Sequence, residues 1–558
     1  MVASQASEHM ANKKGSFAAP LFFLALIFAC VGSRYGAVAP WALAVIALAA
    51  VAWAGGERSS LTWTWPSALV LCYTILVGLN TLLLSPSYSA AGLYHPTLLA
   101  VAFLATRALS SRTENSLMPA GLGLGLGIAV WGLVEIGALG IARAQAFFET
   151  PAMFSAVTNL FLVPVLAAIL VGVRRPSLWT VAVILGSALF AAYSRGGTIA
   201  LAAGLGFAAI LALRARMLRP RAVGAVFALI AAAWIAATAL RALPDAQGDV
   251  ALDPSVRAES SLSRLELYAL SWNAWLKQPI AGTGYLTFRH TLEQGRAQVP
   301  SYGVADVTWF VHNDYLQTLQ ELGLFGFIAF LGLAWLPLLL AYRRLPTLAD
   351  DQKPIVVAFA SALGAMSVHA LMDFPFYVPV CLVLYGALLG TLDAKLSATQ
   401  AARVPCSRLS RWQRAMRTGA LAIVAIVLLR PVAAEAAAEW GLRKFAAGEG
   451  QKAAFWLGAA QRLDSRDWRY HWYAGQFWVA QAADSGRPEA ARLAAEAFAR
   501  GFQANPLEAR NLLGTISVHE RYPQLLEKPA DPGVLQQWRA QAQSLAPLRP
   551  LVRRELAR

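Results

Sequence analysis

Long apolar runs, separated by short polar loops, dominate the first three quarters of the chain. A helix needs about 20 predominantly apolar residues to cross roughly 30 Å of hydrocarbon, and about 13 runs of this kind occur here. They lie near residues 17–33, 37–54, 66–84, 93–106, 117–141, 153–173, 178–193, 197–213, 222–240, 323–342, 354–372, 375–392 and 418–432. The pattern predicts an all-α polytopic membrane protein with about 13 transmembrane helices.

The composition supports this interpretation. Of the 558 residues, 57% are hydrophobic and only 14% are charged, whereas soluble domains average about 45–50% apolar and about 25% charged residues. A disordered chain and a water-soluble enzyme of ordinary composition are therefore excluded. The net charge of +16 does not indicate a nucleic-acid partner, because basic residues in a membrane protein first set its orientation among the lipids.

The basic residues alternate between successive loops. Loops rich in Lys and Arg stay in the cytoplasm, and one set of loops holds most of these residues. This set includes Lys13, Lys14, Arg58, Arg107, Arg112, Arg174, Arg175, Arg214, Arg216, Arg219, Arg221, Arg343, Arg344, Lys353, Lys395, Arg403, Arg408, Arg411, Arg414 and Arg417. The opposite short loops hold little more than Arg34, Arg143 and Arg195. The N-terminus is therefore expected in the cytoplasm and the C-terminus outside.

Two regions are expected to leave the bilayer on the outer side. The predicted order is a cytoplasmic segment 1–16, a transmembrane bundle 17–240, an outer loop 241–322 with short helices, further transmembrane helices 323–432 and an outer tail 433–558. The loop is too long to be a mere connection, which favours a functional role. The tail carries amphipathic helical stretches that resemble degenerate tetratricopeptide-type repeats.

The first candidate site is Ser194-Arg195-Gly196-Gly197, at the outer end of two predicted spans. If a helix begins here, Ser194 caps it, and the glycines leave backbone N–H groups exposed beside the Arg195 guanidinium. Such a helix start is an anion site at the membrane surface. The alternative is an interfacial arginine that only extends its charged end into water.

The second candidate lies in the outer loop. Helical spacing places Arg264, Tyr268 and Ser271 on one face and leaves an apolar or interfacial face of Leu265, Trp272 and Trp275. We expect a helix along the outer membrane surface, with Arg257 as a second possible anion binder. An ordinary amphipathic helix with solvated charges is the alternative.

The third candidate is His312, at the lip of the span that follows the loop. An imidazole can accept a proton from a hydroxyl at neutral pH, and either Asn313 or Asp314 can cap the following helix. A polar interface residue is the alternative interpretation. Arg289, earlier in the loop, could order a lid or touch substrate.

The fourth candidate is Asp373, in the segment HALMDFPFY at the outer end of a later span. Asp373 could pair with an arginine or shape a cavity; a proline-terminated helix with a capping acid is the alternative. The topology places all four candidates on the outer face, and ionisable groups at the membrane lip indicate function.

No nucleotide-binding loop, zinc-ligand spacing or HExxH motif occurs. We therefore expect no metal and no cofactor. Outside the cell neither ATP nor a nucleotide sugar is available, which leaves a lipid-linked pyrophosphate as an energy-rich donor.

Four segments carry a resemblance to a known family. SRGG, RLELYALSWNAWLKQPIAGTGY and HNDYLQTLQELGLFGF, in this order around one outer loop and followed by HALMDFPFYVP, resemble the O-antigen ligase and polymerase superfamily. The resemblance implies an inner-membrane glycosyltransferase of the GT-C type that moves a glycan from undecaprenyl diphosphate to a periplasmic acceptor without a metal. It also implies that Arg195 and Arg264 hold the pyrophosphate and that His312 activates the acceptor hydroxyl, with inversion at the anomeric carbon.

The resemblance leaves the acceptor open. Lipid A-core, a protein and a growing polysaccharide are the candidates, corresponding to a ligase, a protein O-oligosaccharyltransferase and a polymerase. A flippase would instead place charges at mid-membrane depth and show an inverted repeat. A membrane anchor whose tail scaffolds an envelope complex would lose its function on truncation near residue 433 and would not need His312.

Overall fold

The computed structural model describes residues 18–33, 37–56, 64–109, 114–242, 254–299, 308–397, 411–547 and 552. Throughout these ranges the chain forms helices and loops and no strand, so the predicted all-α fold is confirmed. The predicted cytoplasmic segment and the outer-loop residue Arg34 lie outside the described residues.

Every predicted span coincides with a helix in the described residues. These helices are α1 (Ala18–Ser33), α2 (Val38–Gly56), α3 (Trp65–Leu79), α4 (Ala91–Leu109), α5 (Glu114–Gly137), α6 (Pro151–Leu170), α7 (Pro176–Ala191), α8 (Arg195–Arg214), α9 (Pro220–Arg241), α12 (Asp314–Arg344), α13 (Lys353–His369), α14 (Pro379–Ser397) and α15 (Arg411–Ala446). The outer loop forms α10 (Pro254–Lys277) and α11 (Phe288–Gly295), and the tail continues with α16 (Gly450–Leu463), α17 (Trp468–Ser485), α18 (Pro488–Ala504), α19 (Ala509–Arg521) and α20 (Pro532–Leu545).

By length and composition, six helices of the described chain could cross a membrane. They occupy Trp65–Leu84, Pro151–Leu170, Arg195–Arg214, Pro220–Arg241, Asp314–Thr347 and Pro379–Ser397. Shorter apolar helices cover Ala18–Ser33, Val38–Ala52, Gly121–Gly137, Pro176–Ala191 and Lys353–His369. The polytopic architecture is thus confirmed, while the count of about 13 crossings stays a prediction.

The helix after the outer loop begins at Asp314, as the predicted cap at Asn313 or Asp314 requires, before the predicted span at 323–342. Residues 314–322 already belong to α12, and the helix bends at Gly323, whose φ of 65° and ψ of −166° are not helical. The carbonyl oxygen of Ile280 lies where a side chain would project: a Cβ added at Gly323 would come within 2.1 Å of it. Only glycine fits this bend, because it combines a positive φ with close approach of another backbone.

The segment Pro279–Gly284 packs into the bend of α12. The Leu324 amide donates to the Pro279 carbonyl at 2.9 Å, and the Gly284 amide donates to the Glu321 carbonyl at 2.9 Å. The bend therefore fixes the end of α10 against the start of the transmembrane part of α12.

The tail packs as a series of neighbouring helices. Helices α15 and α16, α17 and α18, and α18 and α19 pack against each other, and small apolar clusters fill the space between them. Helix α15 runs without interruption across the predicted boundary at residue 433, so the last predicted span and the tail share one helix. The tetratricopeptide-type repeat stays a prediction.

Candidate functional site

His312 and Asp373 form the centre of the candidate site. The Nδ1 atom of His312 lies 3.1 Å from Oδ1 of Asp373, and the side chains are 21% and 6% exposed. Asp373 follows α13 in the chain and His312 precedes α12, so the site forms where these two helices meet. The sequence predicted that Asp373 could pair with an arginine or shape a cavity; in the structure its hydrogen-bonded partner is His312, and the charge of Arg264 also acts on it.

The backbone of His312 adopts a conformation that is unusual for this residue type. Its φ is 60°, in the left-handed region that non-glycine residues occupy at a cost of order 1–3 kcal/mol unless their surroundings hold them. The Tyr268 hydroxyl donates to the His312 carbonyl at 3.0 Å, and the imidazole packs edge-on against Phe374 with ring centroids 5.1 Å apart. These contacts fix both the backbone and the ring.

The carboxyl group of Asp373 is ionised at neutral pH. Burial by itself would raise its pKa, but the hydrogen bond from His312 and the charges of His312, His369 and Arg264 outweigh burial and hold the pKa below the ordinary value. An ionised carboxylate can only accept hydrogen bonds. The proton of a neutral His312 therefore sits on Nδ1, and Nε2 keeps a free lone pair.

Arg264, on α10, acts electrostatically on this pair. Its positive charge acts on Asp373, on His369 and on Tyr268, so it contributes to the field in which His312 and Asp373 lie. Burial raises the pKa of Tyr268, against the nearby positive charge of Arg264. Its hydroxyl therefore stays protonated and can donate to the His312 carbonyl. The predicted two faces of α10 are confirmed, because Leu265 and Trp272 are exposed on the other side.

Ser194 caps α8 as predicted. Its hydroxyl accepts a hydrogen bond from the Gly197 amide at 3.1 Å, and exposed Arg195 occupies the first helical position. The prediction that both glycines leave their amides exposed was wrong, because Gly196 and Gly197 are buried and the cap already binds the Gly197 amide.

The close packing of Gly196 joins α8 to the rest of the site. A Cβ added at Gly196 would lie 3.2 Å from Nε2 of His369, the last residue of α13. The start of α8, which carries Arg195, therefore lies at the same end of the bundle as Asp373 and His312. The sequence-predicted residues Arg195, Arg264, His312 and Asp373 come from four different helices or their ends, and their joint action at one site stays a prediction.

Two basic residues hold the turn before α8. Arg143 donates to the carbonyls of Ala192 and Tyr193 at 3.0 and 3.1 Å. Arg241 lies over the Tyr193 ring, 3.6 Å from its centroid. Because Tyr193 has a positive φ of 48°, these contacts stabilise a turn that sets the position of Arg195.

Asn313 and Asp314 have different roles. Asn313 is the cap of α12, since its side chain accepts from the Leu316 amide at 3.1 Å. Asp314 is fully buried; its carboxylate accepts from the Phe376 amide at 2.9 Å, and its own amide donates to the Ala370 carbonyl at 2.8 Å. Asp314 thus ties α12 to the loop that carries Asp373 and supports the site without lining it.

Glu321 anchors the outer loop, and the sequence analysis gave it no role. Its fully buried carboxylate accepts hydrogen bonds from the Leu286 and Phe288 amides, the Tyr377 hydroxyl and the Gln317 amide group, at 2.9, 3.2, 2.9 and 3.1 Å. A single acidic residue just before LGLFG offered little signal, because three of its four partners, all except Gln317, come from segments far away in the sequence.

Two further sequence candidates are Arg257 and Arg289. Arg257 lies near the start of α10, and its role as an anion binder stays a prediction. Arg289 lies over the Trp309 ring at 4.3 Å and lines a cavity against the tail. Among the described residues, no group of three or more His, Cys, Asp or Glu side chains could hold a metal ion.

One known family is similar to part of this chain. The sequence profile of a family described as O-antigen ligase matches residues 180–331. Residues 180–331 are therefore similar to an O-antigen ligase domain. This matched part includes Arg195, Arg264 and His312 and ends before Asp373, so the partner of His312 comes from outside it. No protein of curated function matches the chain.

Proposed function

We propose that this protein transfers a glycan from undecaprenyl diphosphate to an acceptor hydroxyl on the periplasmic face of the bacterial inner membrane. The reaction inverts the anomeric carbon and uses no metal. The similarity to an O-antigen ligase domain and the membrane-spanning helices support the general activity; the donor, the face and the mechanism are our proposal. Lipid A-core is the acceptor we favour, because the matched family is described as a ligase.

The hydrogen-bonded pair of His312 and Asp373 carries the proposal. With its proton fixed on Nδ1 by an ionised carboxylate, His312 presents Nε2 as a general base. It takes the proton of the acceptor hydroxyl as that oxygen bonds to the anomeric carbon. Asp373 then stabilises the imidazolium that forms, as a carboxylate does next to any charged histidine.

Arg195 and Arg264 act on the leaving group. When the bond between the anomeric carbon and the diphosphate oxygen breaks, the electron pair stays on the diphosphate and its negative charge grows. Two guanidiniums beside that oxygen stabilise the growing charge. Each guanidinium can donate two parallel hydrogen bonds to phosphate oxygens. Direct displacement by the acceptor oxygen on the opposite side of the sugar ring gives inversion.

The decisive experiment is transfer by the purified protein in lipid. It is supplied with one defined undecaprenyl diphosphate glycan and, separately, with lipid A-core, a peptide and a polysaccharide, and the products are identified by mass spectrometry. H312A should yield no product while inserting and eluting like the unchanged protein. Full transfer by H312A would remove the proposed base, and no transfer to any acceptor by the unchanged protein would refute the function.

A further inference from the structure

A cavity of about 490 Å³ lies beside the candidate site, between the membrane part and the tail. Its walls include the end of α1, the start of α2, the loop before α4, the segment before α12 and the tail helices α17 and α19. Phe310 lines the cavity on one side, and its ring stacks on Phe374 with centroids 3.9 Å apart. Because His312 packs against the same Phe374 ring, the cavity and the site share a wall.

Aromatic rings make up much of the cavity wall. They belong to Trp41, Tyr88, Trp309, Trp468, Trp472 and Tyr473. A sugar ring has one face of C–H groups and a rim of hydroxyls, and an aromatic ring covers such an apolar face while leaving the rim to polar neighbours. Three of these rings are on the tail, so the tail completes the cavity.

The charges in the cavity balance one another. Three guanidiniums and three carboxylates line it, from Arg289, Arg469, Arg510, Glu149, Asp467 and Glu508. Arg469 and Asp467 form an ion pair at 2.6 Å, and Arg510 lies 3.5 Å from Glu508. A diphosphate would require an excess of positive charge, whereas balanced donors and acceptors suit a neutral ligand with many hydroxyls.

Several buried polar atoms in the side chains that line the cavity have no hydrogen-bond partner within the described residues. They are Nε1 of Trp41, Nε2 of His95 and Nε of Arg289. Trp41 and His95 are 6% and 5% exposed, and Tyr285 holds the His95 ring through Nδ1 at 3.0 Å. Buried polar groups normally have a hydrogen-bond partner; these atoms lie just beneath the cavity wall, so a small side-chain movement would let ligand hydroxyls supply one.

The tail is fixed against the membrane part next to this cavity. The side-chain amide group of Asn505 donates to the Ser87 hydroxyl at 2.8 Å. Arg466 donates to the Leu82 carbonyl and lies over the Tyr88 ring at 5.2 Å. The cavity is therefore built from two parts of the chain held in one arrangement, which a specific binding site requires.

We infer that this cavity binds an oligosaccharide of largely neutral sugars. The proposed function supplies its two possible sources, the glycan of the donor and the sugar part of the acceptor. Either chain would reach from the cavity past the Phe310–Phe374 wall to His312. The tail is thus a sugar-binding part of the enzyme.

The test measures equilibrium binding to the full-length protein in detergent. The probes are the O-chain oligosaccharide and the core oligosaccharide of the host strain, each released from its lipid, and undecaprenyl diphosphate without sugar. The variants are W309A and W468A, with W309F as the conservative change. W440A is the matched control, since Trp440 is 51% exposed on α15 outside the cavity. Thermal unfolding checks that each variant is folded.

We expect saturable binding of one oligosaccharide, weakened about tenfold or more by W309A and W468A, as loss of a stacking ring weakens other ligands. W309F and W440A should bind like the unchanged protein, and sugar-free undecaprenyl diphosphate should not compete. Binding of the O-chain identifies the donor glycan as the ligand, and binding of the core identifies the acceptor. No binding of either oligosaccharide, or equal binding by W309A, W468A and W440A, would overturn the inference.

H312A separates this inference from the proposed function. The variant should bind the oligosaccharide with unchanged affinity although it no longer transfers glycan. A lack of transfer by the unchanged protein would refute the function and leave the binding result standing.

Discussion

His312 lies 3.1 Å from Asp373 through its Nδ1 atom, although the two residues are 61 positions apart in the chain. The contact joins the end of the outer loop to the loop after α13. It has a chemical consequence, because the carboxylate decides which ring nitrogen carries the proton. The charge of Asp373, more than its size, is what the candidate base requires.

Replacing Asp373 with Asn should lower glycan transfer by about 10²-fold or more while the protein stays folded, since a wrongly protonated histidine is a poor base. The Asn amide group can donate to Nδ1, which then moves the imidazole proton to Nε2. The turnover rate with a defined lipid-linked glycan measures the effect, and the exposed Asp484 changed to Asn is the control. A D373N variant with unchanged turnover would show that Asp373 does not orient His312.

The sequence predicted the separate parts of this site and not how they meet. Long apolar runs predicted every described helix of the membrane part, and the cap at Ser194 and the two faces of α10 followed from capping and spacing. These are local properties of the chain. The pairing of His312 with Asp373 depends on how α12 packs against the end of α13, which no local pattern contains.

Two residues act through contacts that the sequence did not predict. Glu321 acts through backbone amides of a loop more than 30 positions away, and Gly196 acts by letting His369 approach. A single glutamate or a pair of glycines occurs in many sequences for unrelated reasons, so neither predicts these contacts. Likewise, the predicted boundary between loop and span fell at 322–323, because the polar side chains of residues 314–322 precede the apolar run, whereas α12 continues across this boundary.

Removing Arg264 should lower transfer by about 10²-fold, the typical cost of losing one donor to a developing negative charge. The same holds for Arg195, and R264K should retain part of the activity because a single positive charge remains. Initial rates with the diphosphate-linked donor provide the measurement. R443A is the control, since the Arg443 side chain is 72% exposed on the tail. Equal rates for R264A and R443A would contradict a role in leaving-group stabilisation.

Gly323→Ala should destabilise the protein by about 1–3 kcal/mol, because it adds a side chain at a positive φ. The new methyl group would also meet the Ile280 carbonyl oxygen at 2.1 Å. Gly206→Ala is a matched control, since Gly206 lies in α8 with no atom within 4 Å of an added Cβ, and alanine favours a helix there. Thermal unfolding in detergent compares the two. If both variants unfold at the same temperature, the bend of α12 is not under this constraint.

Asp464 should make the stability of the protein depend on pH. Burial raises its pKa from 3.8 to about 6, helped by the charge of Asp467, although Arg430 and the Tyr88 hydroxyl favour the ionised form. Between these two pH values the folded state binds more protons than the unfolded state, so stability falls as the pH rises through this window. Asn at this position cannot ionise. D464N should therefore match the unchanged protein near pH 4, unfold at a higher temperature by pH 6 and keep that advantage at higher pH. Because Tyr88 belongs to the membrane part, this pH dependence reports how the tail packs against that part. If the difference in unfolding temperature between D464N and the unchanged protein does not vary with pH, Asp464 has its ordinary pKa in the folded protein.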